Sequence, residues 1–335
     1  MRFLSLVCLS AFTAGPAMAA APATPLFASD EPIRITIKGP MSQVASDRSG
    51  TPHNGLLSLT GSADSYPVAL SARGITRRQS DVCQFPPLRV DFVGKPSGLF
   101  VGQNRLKLVT HCRKSEDFQQ KVLLEYSAYR LYNLLTPLSF RARLATIDYV
   151  DDSGRPFITR TGFFIEDVDD LAKRNGMTKP RTPDRVPISQ IDRSGGARFA
   201  LFNYMIGNLD WSMRAGPAGE GCCHNGRLLA APGSSVFTPV PYDFDFSGLV
   251  DAPYAAPPEG IRVRSVRERS YRGYCIQNAE AAAAAAEMVA RRAQINATFA
   301  SIPGLTDKTR AKAVTYLDGF FSDLGSGKVL ARCLN

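Results

Sequence analysis

The stretch from Phe199 to Gly248 carries the strongest indications of fold and function in this chain. It reads FALFNYMIGNLDWSM (199–213), then GPAGEGCCHNGRLL (216–229), then VFTPVPYDFDFSG (236–248). Apolar residues in the first segment recur at helical spacing, and this run ends at Gly207-Asn208. Short apolar runs at 228–230 and 236–240 flank a Pro-Gly turn, which predicts a hairpin of two strands.

Polar side chains follow each of these predicted elements. Asp210 comes directly after the helix, Asn225 follows the glycine-rich loop, and Asp243 and Asp245 follow the second strand. Kinases arrange their catalytic base and metal ligands in this order. We therefore predict that Asp210 orients the attacking hydroxyl and accepts its proton. Asn225, Asp243 and Asp245 are the predicted ligands of Mg²⁺ or Mn²⁺, which prefer oxygen donors.

A second pair of charged residues lies upstream of this stretch. Lys107 belongs to the predicted strand RLKLVT (105–110), and Glu125 lies on the apolar face of a predicted helix at about 116–135. A buried carboxylate needs a partner, and Lys107 on the preceding strand is a candidate. Kinases use such a pair to hold nucleotide phosphates. The alternatives are a solvent-facing lysine and a glutamate at the edge of the apolar stripe.

The order of strand and helix patterns predicts the fold class. Strands are predicted at 33–38, 56–59, 68–72, 88–93, 105–110, 142–150 and 156–165. Further helices are predicted near 166–175, at 197–206, at 278–298 and at 306–324. This order predicts an α+β fold with two lobes, like that of protein kinases. The N-terminal lobe, residues 20–165, would be β-rich with one long helix, and residues 166–335 would form a mostly helical lobe.

Length and charge limit the classes of partner. The chain has 335 residues, which suits one large unit of two lobes or two domains. Its formal net charge of +10 favours anionic partners such as nucleotides, phosphorylated substrates, acidic proteins or a membrane surface. No block of Lys and Arg is dense enough to indicate specific nucleic-acid binding. A solvated basic surface is the alternative interpretation.

The first nineteen residues have the features of a removable export signal. Arg2 provides the positive start, residues 3–13 are apolar, and Ala17-Met18-Ala19 matches the small-residue cleavage pattern. This apolar run is too short to span a bilayer, and no later segment is long enough. We therefore expect a soluble periplasmic or secreted protein without a transmembrane segment.

Six cysteines follow the predicted signal: Cys83, Cys112, Cys222, Cys223, Cys275 and Cys333. An even number in an exported chain favours disulfides. We expect Cys83 to pair with Cys112 between neighbouring strands, and Cys222 and Cys223 to tie the central loop to Cys275 and Cys333. Zinc bound with the help of His111 or His224 is the alternative, although the usual C-x-x-C spacing is missing.

Several short motifs resemble those of a known kinase family. Asn208-Leu209-Asp210-Trp211, His224-Asn225 and Pro241-Tyr242-Asp243-Phe244-Asp245 resemble the CotH-like (spore-coat type) secreted atypical kinases. More distantly, they resemble the HipA-like and phosphoinositide-type kinases. Ala72-Arg73-Gly74 with Arg77-Arg78, followed by Pro87-Leu88-Arg89, is similar to the basic segment that precedes the lysine strand in CotH-type chains. The resemblance covers roughly residues 70–250.

This resemblance implies a function as well as a fold. It implies ATP and Mg²⁺ as cofactors, with Arg73, Lys107 and Glu125 at the nucleotide. It also implies transfer of the γ-phosphate to a hydroxyl of a protein or small molecule.

Two other functions fit the same residues. One is an inactive pseudokinase that serves as a disulfide-braced binding module of the envelope. The other is a glycosyltransferase that uses Asp243-x-Asp245 as a metal-binding D-x-D pair. Hydrolase signatures of the G-x-S-x-G and H-E-x-x-H types are absent from the sequence.

Overall fold

Seven strands in the first half of the chain form a closed β-barrel. In the computed structural model, which describes residues 20–335, the barrel order is β1-β2-β3-β4-β5-β7-β6. The strands are β1 Ile33–Gly39, β2 His53–Leu59, β3 Ser65–Ala72, β4 Leu88–Phe92, β5 Arg105–Val109, β6 Ala142–Asp151 and β7 Pro156–Ile165. Strand β1 pairs with β6 in parallel, and this pairing closes the sheet; the other neighbouring strands are antiparallel.

The alternation of side chains explains why these segments form a barrel. In β1, Ile33, Ile35 and Ile37 are buried, whereas Arg34 and Lys38 face solvent. Successive side chains of a strand point to opposite faces, so the isoleucines enter the barrel interior together. There they pack with the inward-facing residues of the other strands, which include Leu70, Val90, Leu106, Ile147 and Phe164.

Seven α-helices accompany the barrel in the described part of the chain. They are α1 Met41–Ser46, α2 Glu116–Leu135, α3 Val168–Arg174, α4 Arg193–Ile206, α5 Asn278–Ala290, α6 Arg292–Thr298 and α7 Asp307–Gly325. Helix α4 begins where the Asp192 carboxylate accepts a hydrogen bond from the Gly195 amide, and it ends at Gly207 in the left-handed conformation. The single helix predicted at 278–298 is divided at Arg291 into α5 and α6.

Helix α2 packs against both the barrel and the second half of the chain. The Tyr129 ring contacts Phe163 of β7 and Phe244, with ring centroids 5.6 and 4.7 Å away. The Tyr132 ring lies 4.6 Å from that of Phe202 in α4. A short hairpin, β8 Gly226–Leu229 and β9 Thr238–Pro241, also packs near α4 and leads into the loop that contains Phe244. One hydrophobic cluster therefore positions this loop beside α2.

The predicted kinase-like fold of two lobes is wrong. Most strands and the long helices lie where the sequence pattern predicts them, but β1 pairs with β6 and the sheet closes into a mixed barrel. The physical reason is that alternation specifies which face of a strand is buried and leaves its edge partners open. The boundary predicted between residues 165 and 166 stays a prediction.

The six described cysteines form three disulfides. The predicted Cys83–Cys112 pair is confirmed. The predicted ties from Cys222 and Cys223 to Cys275 and Cys333 are wrong, because Cys222 bonds to Cys223 and Cys275 bonds to Cys333. The C-terminal residues pair with the segment before α5, because the Cys275 N–H donates a hydrogen bond to the Leu334 carbonyl. This pairing brings Cys333 next to Cys275. No thiolate among these six cysteines remains for zinc.

The described residues also bear on the predicted location. No helix between residues 20 and 335 combines the length and the apolar character needed to cross a bilayer. Three disulfides are compatible with a secreted protein. The predicted export signal at 1–19 lies outside the described residues.

Removal of the Cys83–Cys112 disulfide should destabilise the fold. Because the bond joins residues 29 apart, the chain-entropy treatment gives a loss of about 3.5 kcal/mol in the free energy of unfolding for Cys83→Ser/Cys112→Ser. Urea unfolding without reductant measures this loss. Cys222→Ser/Cys223→Ser is the control, since that bond joins adjacent residues and closes no long loop. Equal losses in the two variants would contradict the prediction.

Candidate functional site

A cavity of about 440 Å³ lies where the loop after β3 meets the loops after α4 and β9. Five residues predicted from the sequence line it: Arg73, Asp210, Asn225, Asp243 and Asp245. The two other predicted residues lie behind the lining, because Lys107 contacts Tyr242 and Glu125 contacts Arg77, both of which line the cavity. The structure therefore brings residues from distant parts of the sequence to one site.

Asp210 is held at the end of α4 by a chain of amide hydrogen bonds. Its backbone N–H donates to Asn208 Oδ1 at 3.1 Å, and Asn208 Nδ2 donates to Asn203 Oδ1 of α4 at 3.0 Å. Trp211 Nε1 donates to the Asn208 carbonyl at 2.9 Å. Asn203 and Asn208 are almost completely buried. Because buried amides need their hydrogen bonds, this chain fixes the backbone of Asp210 relative to the helix.

The Asp210 carboxylate lies between an imidazole and an amide. His224 Nε2 is 2.7 Å from Oδ1, and Asn225 Nδ2 donates to Oδ2 at 2.9 Å and to the Asp210 carbonyl at 2.7 Å. The hydrogen bond to Asp210 raises the pKa of His224 above its ordinary value, against the effect of burial. These contacts orient the carboxylate. The sequence indicated His224 only as a possible zinc ligand and as part of the His224-Asn225 motif, and not as a partner of Asp210.

Asp243 is placed beside Asn225 by the hairpin. The Tyr242 N–H donates to the Asn225 carbonyl at 3.2 Å, and the Asp243 N–H donates to the Tyr129 hydroxyl oxygen at 3.0 Å. Asn225 and Asp243 both have positive φ angles, 47° and 64°. Asn and Asp adopt this left-handed conformation more readily than most residues. Phe244 packs under the loop, while the carboxylates on either side of it line the cavity.

The ion pair predicted between Lys107 and Glu125 is not formed. Glu125 pairs instead with Arg77, whose Nη1 and Nη2 donate to the two carboxylate oxygens at 2.9 and 3.3 Å. The same guanidinium lies 3.0 Å from Asp245 Oδ2 and 3.4 Å from Asp243 Oδ1. Arg77 appears in the sequence only as part of a basic segment, which gave no indication of its buried partners.

Burial determines the titration of this charged cluster. Burial raises the pKa values of Glu125 and Asp245, although Arg77 acts in the opposite direction on both. Burial disfavours the charge on Arg77, but Asp245 and Glu125 outweigh that effect and raise its pKa. The guanidinium therefore remains charged and is the cation that balances these acids.

A basic group lies on another side of the same cavity. Arg73 and Arg227 line the cavity, and the Arg227 guanidinium lies 4.6 Å from the ring centroid of Tyr242. Lys107 Nζ is 5.2 Å from the centroid of that ring. Burial, with repulsion from Arg73 and Arg227, lowers the pKa of Lys107 to about 8. Arg227 was not predicted from the sequence, because one arginine in a short strand carries no functional pattern.

Comparison with models of known protein families finds none that matches this chain, and comparison with curated proteins finds no match either. The resemblance to CotH-like kinases therefore stays a prediction that rests on the quoted motifs. The geometry of the cavity is the basis for any functional conclusion about this chain.

Anion binding in this cavity should weaken as the pH rises through about 8, because Lys107 loses its proton there. Calorimetric titration with pyrophosphate at about pH 7 and pH 9 measures the effect, and Lys107→Gln should reduce the difference. Exposed Lys312 provides the control Lys312→Gln, which should retain it. An equal pH dependence in Lys107→Gln and wild type would contradict the prediction.

The same titration affects stability. The ordinary pKa of lysine is 10.5, and the folded-state value for Lys107 is lower. The folded protein therefore releases the Lys107 proton more readily than the unfolded chain does. The contribution of Lys107 to the free energy of unfolding should rise between about pH 8 and pH 10.5.

Proposed function

We propose that this chain transfers the γ-phosphoryl group of ATP to a hydroxyl of a protein or small molecule, with Mg²⁺ or Mn²⁺ as cofactor. The observation that supports the proposal is the convergence of Asp210, Asn225 and Asp243 with Arg73 and Arg227 on one cavity. Phosphoryl transfer depends mainly on positioning the reactants and neutralising phosphate charge. A cavity that contains both carboxylates and guanidinium groups meets these two requirements.

Asp210 is the group that we assign to the acceptor hydroxyl. Its carboxylate oxygens accept hydrogen bonds from His224 and Asn225, so the side chain is already oriented. Each carboxylate oxygen has two lone pairs, which leaves capacity for the hydroxyl proton. In this role Asp210 aligns the acceptor hydroxyl with the γ-phosphate and accepts its proton as the new O–P bond forms and the bond to the β,γ-bridging oxygen breaks, which releases ADP.

Asn225 and Asp243 are the residues that we assign to the metal ion. The Asn225 amide nitrogen bonds to Asp210, so its Oδ1 remains available as a ligand, and the Asp243 side chain is about one-third exposed to the cavity. Oxygen donors of these types suit Mg²⁺, which when bound neutralises phosphate charge. Asp245 bonds to Arg77 and Tyr254, and we assign it the role of holding Arg77 in place.

The basic group is assigned to the phosphates of the nucleotide. Arg73 and Arg227 line the cavity directly, and their planar guanidinium groups can each bind two phosphate oxygens. Lys107 adds positive charge behind Tyr242 at neutral pH, since its pKa of about 8 keeps most of the side chain protonated. Together these cations favour a polyphosphate over a single carboxylate ligand.

An inactive binding protein is the second candidate. The observation that favours it is the arrangement of Glu125, which pairs with Arg77 and not with Lys107. A lysine without its orienting glutamate is less suited to hold phosphates for transfer. The glycosyltransferase alternative stays a prediction; Asp243 is the more exposed carboxylate of its D-x-D pair.

Two variants separate binding from transfer. Asp210→Asn should lower the rate of phosphate release or transfer from labelled ATP by about 10²–10⁴-fold, the usual contribution of a general base. Its affinity for Mg-ATP should change little, because Asp210 is not assigned to the nucleotide. Asp243→Asn should instead weaken Mg-ATP binding by more than about tenfold, since it removes the charged metal ligand.

The control is Asp251→Asn, a partly exposed acid outside the cavity that pairs with Arg267 and also has positive φ. It should retain both binding and transfer. A wild-type rate in Asp210→Asn would contradict the assigned role of that residue. Binding of Mg-ATP by the wild type without any turnover would favour the inactive binding protein.

A further inference from the structure

The guanidinium of Arg77 occupies a position that has the geometry of a cation site. One oxygen from each of Glu125, Asp243 and Asp245 lies within 4.8 Å of the others, as carboxylates do around a divalent ion. Arg77 contacts all three carboxylates, at distances between 2.9 and 3.4 Å. Its side chain is only 8% exposed. A cation is therefore already bound at this cluster, and it belongs to the chain itself.

The energetic need for this cation follows from burial. Glu125 and Asp245 are almost completely buried, and a buried charge that loses its partner strongly destabilises a fold. A guanidinium suits the task because its fixed fork of N–H donors can bond to several carboxylates at once. The Tyr254 hydroxyl donates to Asp245 Oδ2 at 3.1 Å and fills a further acceptor position with a neutral group.

We propose that Arg77 is a built-in substitute for a divalent ion, and that it excludes metal from the Glu125–Asp243–Asp245 cluster. Phosphotransfer sites with two metals hold their ions about 3.5–4 Å apart. Here the guanidinium of Arg77 takes one of the two cation positions. The other position, between Asn225 and Asp243, remains for a single exchangeable ion. The inference that a single exchangeable ion binds there rests on the proposed function, whereas the inference that Arg77 excludes metal does not.

The attachment of Arg77 to the fold supports a permanent role. It lies in a short 3₁₀ turn, Thr76–Arg78, directly after the barrel strand β3, and the following segment is fixed by the Cys83–Cys112 disulfide. Glu125 lies in the middle of α2. The Arg77 guanidinium therefore comes from the barrel side of the cavity, and its partner Glu125 comes from the long helix. An ion in solution would have to displace a side chain held at three contacts.

The first test measures Mn²⁺ binding by electron paramagnetic resonance without nucleotide. Glu125→Gln should leave the number of bound ions unchanged and their affinity within about twofold, because Glu125 is a partner of Arg77 and not a metal ligand. Loss of a bound ion in Glu125→Gln would overturn the proposal. This variant retains Arg77 with its contacts to Asp243 and Asp245, and circular dichroism measures whether it is folded.

The second test removes the Arg77 guanidinium from the Glu125–Asp243–Asp245 cluster. Arg77→Ala should bind one more Mn²⁺ per chain than the wild type, and Mn²⁺ should raise the melting temperature of this variant more than that of the wild type. Arg77→Lys keeps the positive charge and should bind the wild-type number of ions. Arg77→Ala/Glu125→Gln should lose the additional ion again.

A folded Arg77→Ala protein, judged by circular dichroism, that binds no additional Mn²⁺ would overturn the proposal. If Arg77→Ala does not fold, the Glu125→Gln result decides. Because nucleotide and phosphate transfer are absent from both tests, their outcome is separate from that of the proposed function. A protein that transfers no phosphate can still show the exclusion of metal by Arg77.

Discussion

A single buried guanidinium joins three parts of the chain that are far apart in sequence. Arg77 follows β3, Glu125 lies in α2, and Asp243 and Asp245 follow β9. Buried charges of this kind are tolerated only when their partners are held in place. The turn after β3, the long helix and the loop after the hairpin are thus constrained to one relative arrangement. The turn after β3 and the loop after the hairpin line the cavity together with the loop that follows α4, and the long helix lies behind this lining.

Apolar packing in the hydrophobic core also stabilises the position of the loop that carries Asp243 and Asp245. Phe244 separates Asp243 from Asp245 and packs against Tyr129 and Phe202, with ring centroids 4.7 and 5.4 Å away. A buried aromatic ring between two carboxylates anchors the loop and keeps its acids at the cavity. The Tyr129 hydroxyl accepts the Asp243 N–H, so one helix residue contributes both packing and a hydrogen bond. The acidic side of the site is therefore held by the core of the protein.

The sequence predicts the elements and part of the site, and the reasons for its failures are physical. Asp210, Asn225 and Asp243, which follow successive elements in the sequence, line one cavity, and the roles predicted for them stay predictions. The fold class was wrong because alternation does not reveal that β1 pairs with β6. The Lys107–Glu125 pair was wrong because nearness in sequence favoured the preceding strand. Arg77 reaches Glu125 across 48 residues, and no local pattern indicates such a contact.

The proposed function requires the acidic and basic sides of this cavity to hold a metal-bound triphosphate together. The most direct test is calorimetric titration of the wild-type protein with a non-hydrolysable ATP analogue, in Mg²⁺ and in EDTA. We expect the affinity to be at least about tenfold higher with Mg²⁺, because the ion would join the phosphates to the carboxylate side of the site. Equal affinity in the two buffers, or no binding in either, would contradict it.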